Sequence, residues 1–194
     1  MQNKGLMAAL LLCGMATAAG AEPISYEVAS KNLFSPKGAS VEMLPVPGLL
    51  ADNAALLESV VKDYAYYAAV AVAPEEELLT SEATVLVANH HSAEAAAAAA
   101  LAGCNAARKG GAECVLAGLV RPKKWAARDF QLSLEGTLVL TGDYKKQKGP
   151  RAMAISAQTG FFGLGFGAQA PEAAVQACAD KGATDCAVAV VDPG

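Results

Sequence analysis

The chain has 194 residues, a formal net charge of −4 and 54% hydrophobic residues. The length corresponds to about one compact domain, and the acidic balance gives no support to a nucleic-acid partner, which a basic surface would indicate. Beyond residue 21, no apolar run approaches the roughly 20 residues that a membrane-spanning helix requires. We therefore predict no transmembrane segment in the mature chain.

The first 21 residues have the three parts of a secretory signal peptide. Lys4 supplies the positive charge, Leu6 to Cys13 form a short apolar core, and Ala19-Gly20-Ala21 resemble a cleavage site. A lipoprotein anchor at Cys13 is the alternative, but Leu12 is larger than the residue that usually precedes such a cysteine. We expect cleavage at this site and a mature protein in the periplasm or the medium.

Residues 22–50 are predicted to form an irregular leader. Within it, Val41 to Met43 alternate as in a short strand. Pro45 and Pro47 follow at once, and because proline cannot donate a backbone hydrogen bond, they keep this strand out of the centre of a sheet.

An internal repeat organises the rest of the chain, with copy one at residues 51–120 and copy two at residues 152–194. Each copy contains two apolar strands, an Ala-rich helix with a cysteine, a Gly-Ala turn, a second cysteine and a third apolar strand. Copy one begins with a further helix, which Asp52 or Asn53 can cap. The pattern predicts an α+β fold of two ββαβ units, whose strands form a mainly antiparallel sheet covered by the Ala-rich helices. Residues 22–194 would form one compact domain.

One strand of copy two alternates bulky residues with glycine. In Phe162–Phe166 this alternation puts the large side chains on one face and bare backbone on the other. Such a face usually allows close packing, most simply by the neighbouring Ala-rich helix. The run Gly165-x-Gly167-x-x-Ala170 superficially matches a dinucleotide fingerprint, but its glycines lie within a hairpin strand, so we predict no cofactor.

Four cysteines remain after the predicted signal peptide. In each copy the first cysteine ends the helix and the second begins the next strand. A helix that reverses into a neighbouring strand brings such positions within the roughly 4.4–6.8 Å Cα separation of a disulfide. We predict the pairs Cys104–Cys114 and Cys178–Cys186, in an oxidising compartment. Zinc is the alternative, but neither spacing matches a zinc knuckle.

Residues 121–151 form a basic linker that contains one element of secondary structure. From Phe130 to Tyr144 the residues leave that element open, since alternating apolar residues and threonines favour a strand. Copy one has a helix in the corresponding place, and both segments end in Asp-Tyr. The repeat therefore favours a helix, which Ser133 can cap.

The basic residues of the linker form a candidate binding patch. If the copies pack side by side, both clusters could lie at one end of the molecule and attract anionic lipid headgroups or an acidic protein. A solvated linker kept soluble by its charges is the alternative. The candidate patch comprises Arg121, Lys123, Lys124, Trp125, Arg128, Lys145, Lys146, Lys148 and Arg151.

His90 and His91 are the only histidines in the chain. Adjacent side chains point apart on a strand, and no third ligand lies nearby in the sequence, so we predict no metal site. A serine hydrolase would need an activated nucleophile, and the chain has no Gly-x-Ser-x-Gly elbow. We predict no catalytic residues.

The order of motifs in copy two resembles that of the DUF4189 family of small exported bacterial domains. The likeness rests on the run Ala152 to Ser156, on Thr159-Gly160, on the strand of aromatic residues and glycines, and on Gly182-Ala183-x-Asp185-Cys186 before a Val-rich strand. Residues 69–120 match more weakly, and the further cysteine that the family commonly carries after its last strand is missing here. The resemblance implies a fold and supplies no catalytic residues.

These observations predict an exported, disulfide-stapled, non-enzymatic protein. We expect it to act in the periplasm by binding another protein or as a structural module. A periplasmic inhibitor or immunity protein of a secreted enzyme is the alternative, and a small hydrolase is a third hypothesis.

Overall fold

The computed structural model describes residues 22–194, so the predicted signal peptide lies outside the described residues. The chain forms both helices and antiparallel sheets, an α+β fold as predicted. Their order is α1 (Tyr26–Asn32), β1 (Ala39–Met43), α2 (Ala51–Val61), β2 (Ala68–Val72), β3 (Val85–Val87), α3 (Ala93–Ala107), β4 (Val115–Pro122), α4 (Leu134–Val139), a π-helical turn (Leu140–Tyr144), β5 (Arg151–Ser156), β6 (Phe162–Phe166), α5 (Ala170–Ala179) and β7 (Cys186–Asp192).

The strands divide between two antiparallel sheets instead of forming one. The first sheet has the order β1-β4-β2-β3 and the second the order β6-β5-β7. In both copies the first strand is central and pairs antiparallel with the other two. Both central strands also have an irregular register near their middle, at Val70/Ala71 and at Met153/Ala154. The two segments therefore share a topology, and an internal repeat stays a prediction.

The leader is more ordered than predicted. Ser25 caps α1 by accepting a hydrogen bond from the Val28 N–H. The pattern missed this helix because it has seven residues, of which Ala29 alone is fully buried. β1 lies at the edge of the first sheet, next to β4, as the two following prolines predicted.

Three further helix starts test the predicted caps. The N-cap of α2 is Leu50 and the helix begins at Ala51, so the prediction of Asp52 or Asn53 is wrong. Asp52 lies instead in the first turn, where a negative charge is favoured by the helix dipole. Ser92 caps α3 and Ser133 caps α4, each by accepting a backbone N–H. The second cap settles the open element between the copies as a helix.

Each sheet packs between two helical layers. In copy one α3 covers one face, and Leu57 and Val61 of α2 cover the other, against Val70. In copy two α5 covers one face. The other face meets α1 and the helical segment of the linker, including the buried side chain of Tyr144. The linker helix thus joins the core of copy two.

The glycine-rich face of β6 lies directly against α5, as predicted. A Cβ atom at Gly163 would collide with the carbonyl oxygen of Ala174, and one at Gly165 with the carbonyl oxygen of Ala170. Close contact of two backbones is the reason that these strand positions carry no side chain.

Both predicted disulfides are confirmed. Cys104 pairs with Cys114 across a Cα separation of 6.1 Å, and Cys178 pairs with Cys186 across 6.0 Å. Each bond joins the end of a helix to the start of the third strand of its copy or the residue just before it. The two copies are therefore stapled separately and in the same place.

Candidate binding cleft

His91 connects copy one, the linker and copy two. Its Nδ1 atom accepts a hydrogen bond from the Ser133 N–H at 3.1 Å, because a backbone N–H can only donate. The proton of the neutral ring therefore lies on Nε2, which donates to the Phe161 carbonyl oxygen at 3.1 Å. The side chain is 4% exposed. Both ring nitrogens are used to hold the three segments together.

Neighbouring residues of the same segment reinforce this junction. Asn89 donates to the Glu135 carboxylate at 2.8 Å and accepts from the Glu135 N–H at 3.3 Å. Gly160 of copy two packs so closely that a Cβ there would collide with the Asn89 carbonyl oxygen. His90 exchanges two backbone hydrogen bonds with Tyr67, at 3.1 and 3.4 Å. The segment after β3 is thereby anchored on both sides.

Burial determines the charge of both histidines. It lowers the pKa of His91 to about 4, and the hydrogen bond to the Phe161 carbonyl only partly opposes this shift. Burial also lowers the pKa of the half-buried His90, whose Nδ1 lies 3.3 Å from the Ala88 carbonyl oxygen. Both rings are neutral at pH 7. His91 has no ring nitrogen left for a metal or a substrate.

A cleft of about 510 Å³ opens beside this junction. Its walls come from four parts of the chain, namely the leader, the segment that begins α3, the linker before α4, and copy two. The lining is largely apolar. The larger apolar side chains in it are Ile24, Val28, Phe130, Ile155 and Val188.

Strand β7 forms one side of the cleft. It is an edge strand of the second sheet, with β5 on one side. On its other side the leader adds a single parallel bridge, in which the Ile24 N–H donates to Ala189 and the Ile24 carbonyl accepts from Val191. Ala187 and Val188, just before this bridge, line the cleft.

Three carboxylates line the cleft, each from a different segment. Glu22 and Asp129 are exposed, and Asp185 is partly buried. Burial acts to raise the pKa of Asp185, but hydrogen bonds from the Ser156 hydroxyl and the Gln158 N–H outweigh it and lower that pKa. Asp185 is therefore ionised at neutral pH and is held in a fixed position.

The arginines of the predicted basic patch make internal contacts. Arg121 pairs with Glu42 and stacks on Trp125, with 4.7 Å between guanidinium carbon and ring centre. Arg128 donates to two carbonyl groups at the end of α1, and Arg151 lies 3.4 Å from the Asp192 carboxylate. These side chains contribute to packing as well as to surface charge.

Trp125 is also anchored inside the molecule. Its indole N–H donates to the side-chain carbonyl of Gln131 at 3.0 Å, and the Tyr67 hydroxyl donates to the same oxygen at 2.7 Å. The ring packs against the core of copy one. Gln131 therefore links the linker to copy one.

Two arginines of the basic patch, one from each half, lie at opposite ends of α1. Arg128 binds the carbonyl group of Asn32 at the carboxyl end, whereas Asp192, the partner of Arg151, accepts from the Tyr26 N–H at the amino end. A seven-residue helix is about 10 Å long. Among the residues described, Lys123, Lys124, Lys145 and Lys148 are exposed and form no ion pair, and Lys146 pairs with Asp143. Binding of an anionic surface here stays a prediction.

Sequence reasoning missed the cleft because its walls come from distant segments. Ile24, an apolar residue in a polar stretch, was the available signal that the leader packs on something. Between residues 22 and 194, no helix is long and apolar enough to cross a membrane. In that same range, no three side chains of the types His, Cys, Asp and Glu are grouped to hold a metal ion.

Comparison of the chain with protein-family models, with curated proteins and with solved structures finds no significant match. Membership of the DUF4189 family therefore stays a prediction.

Proposed function

We propose that the protein is an exported, non-enzymatic binding protein whose partner occupies the cleft formed by the leader, the start of α3, the linker and copy two. The observation that carries this proposal is the cleft itself, about 510 Å³ in volume, mostly apolar and bordered by a few polar groups. Such concave apolar surfaces are the usual sites of recognition. The two disulfides suit an oxidising compartment such as the periplasm.

The polar groups of the cleft support binding more than catalysis. A general base needs a free atom within hydrogen-bonding reach of the proton that it takes. His91, which touches the cleft, uses one ring nitrogen for Ser133 and the other for Phe161.

Asp185 accepts hydrogen bonds from Ser156 and Gln158, which lower its pKa and make it a weak base. Glu22 and Asp129 are exposed carboxylates of the same cleft, where their charge can attract a partner. His91 and Asp185 shape the wall of the cleft.

Blocking the cleft tests the proposal. Ala187 is exposed and lines the cleft, so Ala187→Phe fills space there without disturbing the core. Ala173 is an exposed alanine of α5 outside the cleft, and Ala173→Phe is the matched control. We expect mature wild-type protein and the control to capture the same partner from periplasmic extract, and Ala187→Phe to lose it. Equal capture by both variants would place the binding surface elsewhere.

Export is tested separately. Cell fractionation should recover protein that begins at Glu22 in the periplasm or the medium, with both disulfides formed. A cytosolic protein that retains Met1 would contradict the proposed location.

A further inference from the structure

We propose that the occupant of the cleft is a peptide segment with apolar and basic residues, bound in an extended form beside β7. This inference rests on the proposed function and deepens it, because it names the chemistry of the partner. Three features of the cleft carry it: its charge, its edge strand and its apolar lining.

Charge complementarity indicates a cationic occupant. Every ionised side chain that lines the cleft is a carboxylate, namely Glu22, Asp129 and Asp185, and His91 is neutral. Cleavage before Glu22 would add one α-ammonium group at the rim, which still leaves an excess of negative charge. Like charges in a confined cleft reinforce one another and attract the opposite sign.

The edge strand favours a peptide over a compact small molecule. The outer edge of β7 already accepts an extended segment of backbone, since Ile24 donates to Ala189 at 3.0 Å and accepts from Val191 at 2.9 Å. The cleft follows this edge toward Ala187 and Val188. Addition of a strand at an exposed edge is a common mode of peptide recognition, in which alternate side chains supply specificity.

The residues that line the cleft indicate which side chains the bound peptide should carry. Apolar residues of a bound strand would meet Val28, Phe130 and Ile155, all at least partly exposed. Lysine or arginine residues would reach Glu22 and Asp129, which make no ion pair among the residues described. Because successive residues of a strand point to opposite sides, an alternating apolar and basic sequence offers both kinds of side chain to the cleft.

Three synthetic peptides of one length test the inference. Each alternates leucine with one polar residue, which is lysine, glutamine or glutamate. We expect the lysine peptide to bind mature protein about tenfold or more tightly than the glutamate peptide, with the glutamine peptide between them. Because exposed charges are screened by salt, the difference should shrink between about 0.05 and 0.5 M salt. Calorimetric titration measures all three affinities.

Matched variants locate the binding. The double variant Glu22→Ala/Asp129→Asn should weaken the affinity for the lysine peptide about three- to tenfold and leave the affinity for the glutamine peptide unchanged. The control Glu172→Ala/Asp63→Asn removes the same two charges from exposed positions outside the cleft, and should bind like wild type. Amide chemical shifts of Ala187 and Val188 should change on titration with the lysine peptide.

The outcomes separate this inference from the proposed function. Ala187→Phe and, as a second block on α1, Val28→Trp should each abolish binding of the lysine peptide. Equal affinity for all three peptides, lost in the blocked variants, would overturn the basic occupant and leave the cleft as a binding site. Failure of every peptide to bind at millimolar concentration would overturn the peptide occupant. Loss of the natural partner in the blocked variants would then still uphold the proposed function.

Discussion

The two copies share a topology but bring helix and sheet together in opposite ways. Each helix presents two alanines and a cysteine at intervals of four residues, Ala96-Ala100-Cys104 in α3 and Ala170-Ala174-Cys178 in α5, and all six are buried. Each central strand presents two buried alanines to its helix, Ala69 and Ala71 in β2 and Ala152 and Ala154 in β5.

The difference lies in the strand beside the central one. Val87 and Val85 pair with the two alanines of β2, whereas Gly165 and Gly163 pair with those of β5. In copy one the space is made on the helix, where a Cβ at Gly103 would lie 3.1 Å from the Val85 side chain. In copy two the residues without a side chain are Gly163 and Gly165 of the strand β6. A helix and a strand can pack closely when one of them carries glycine at the contact, and either the helix or the strand can carry it.

The largest expected effect is a methyl group added to β6. Gly165→Ala should destabilise the protein by on the order of 3 kcal/mol or more, because the new Cβ meets the α5 backbone, which cannot shift without moving the whole helix. The control is Gly142→Ala, where no heavy atom lies within 4 Å of the added Cβ. Urea denaturation measures the unfolding free energy of both variants. A Gly165→Ala protein as stable as wild type would show that β6 and α5 do not require close contact at this position.

Removing each disulfide tests whether the two copies contribute equally to the stability of the protein. The double variants Cys104→Ser/Cys114→Ser and Cys178→Ser/Cys186→Ser should each lose about 2–4 kcal/mol. The bonds span sequence separations of 10 and 8 residues, so loop entropy makes the two losses differ by only about 0.2 kcal/mol. Thermal melting without reductant measures them. A large loss in one copy alone would show that the copies differ in stability despite their common topology.

The stability of the protein should depend on pH through His91. An unfolded histidine takes up a proton below about pH 6.5, but folded His91 does so only near its pKa of about 4. Between these values the unfolded state binds more protons, so stability present above pH 6.5 is lost as the pH falls, by about 3 kcal/mol at pH 4. Protonated Nδ1 could no longer accept from the Ser133 N–H, which breaks the contact between copy one and the linker, whereas Nε2 could still donate to Phe161.

The variant His91→Gln isolates this contribution. Its unfolding free energy, measured by urea denaturation from pH 7 to pH 4, should fall less steeply than that of wild type. His90→Gln should flatten the slope less, because His90 is only half buried. An unchanged slope in His91→Gln would show that other groups control the acid sensitivity.

The smallest expected effect is in β3. Val85→Ala should cost about 1 kcal/mol, because Val85 is only partly buried and its strand lies at an edge. Val60→Ala, at an exposed position of α2, should cost less. If Val85→Ala lowered the unfolding free energy as much as Gly165→Ala, β3 would be packed against its helix as tightly as β6, contrary to the difference described between the copies.

Local chemistry explains what the sequence could predict. The disulfides, the serine caps and the packing of the β6 glycines depend on residues close together in the chain or on one repeated pattern. The division into two sheets and the cleft could not be predicted in this way, because both depend on contacts between distant segments. His91 lies 42 residues from Ser133 and 70 from Phe161, and no periodic pattern records such a contact.

The π-helical turn in the linker has a consequence for how this chain can change over evolutionary time. Asp63-Tyr64 follows the end of α2, and Asp143-Tyr144 ends the π-helical turn, yet Tyr64 is 41% exposed and Tyr144 is fully buried, with its hydroxyl donating to Asp192. A π turn holds one residue more than an α turn. Loss of one residue there would turn Tyr144 by about 100° around the helix axis. A single-codon deletion could thus move an aromatic side chain between core and surface while the strands on either side stay unchanged.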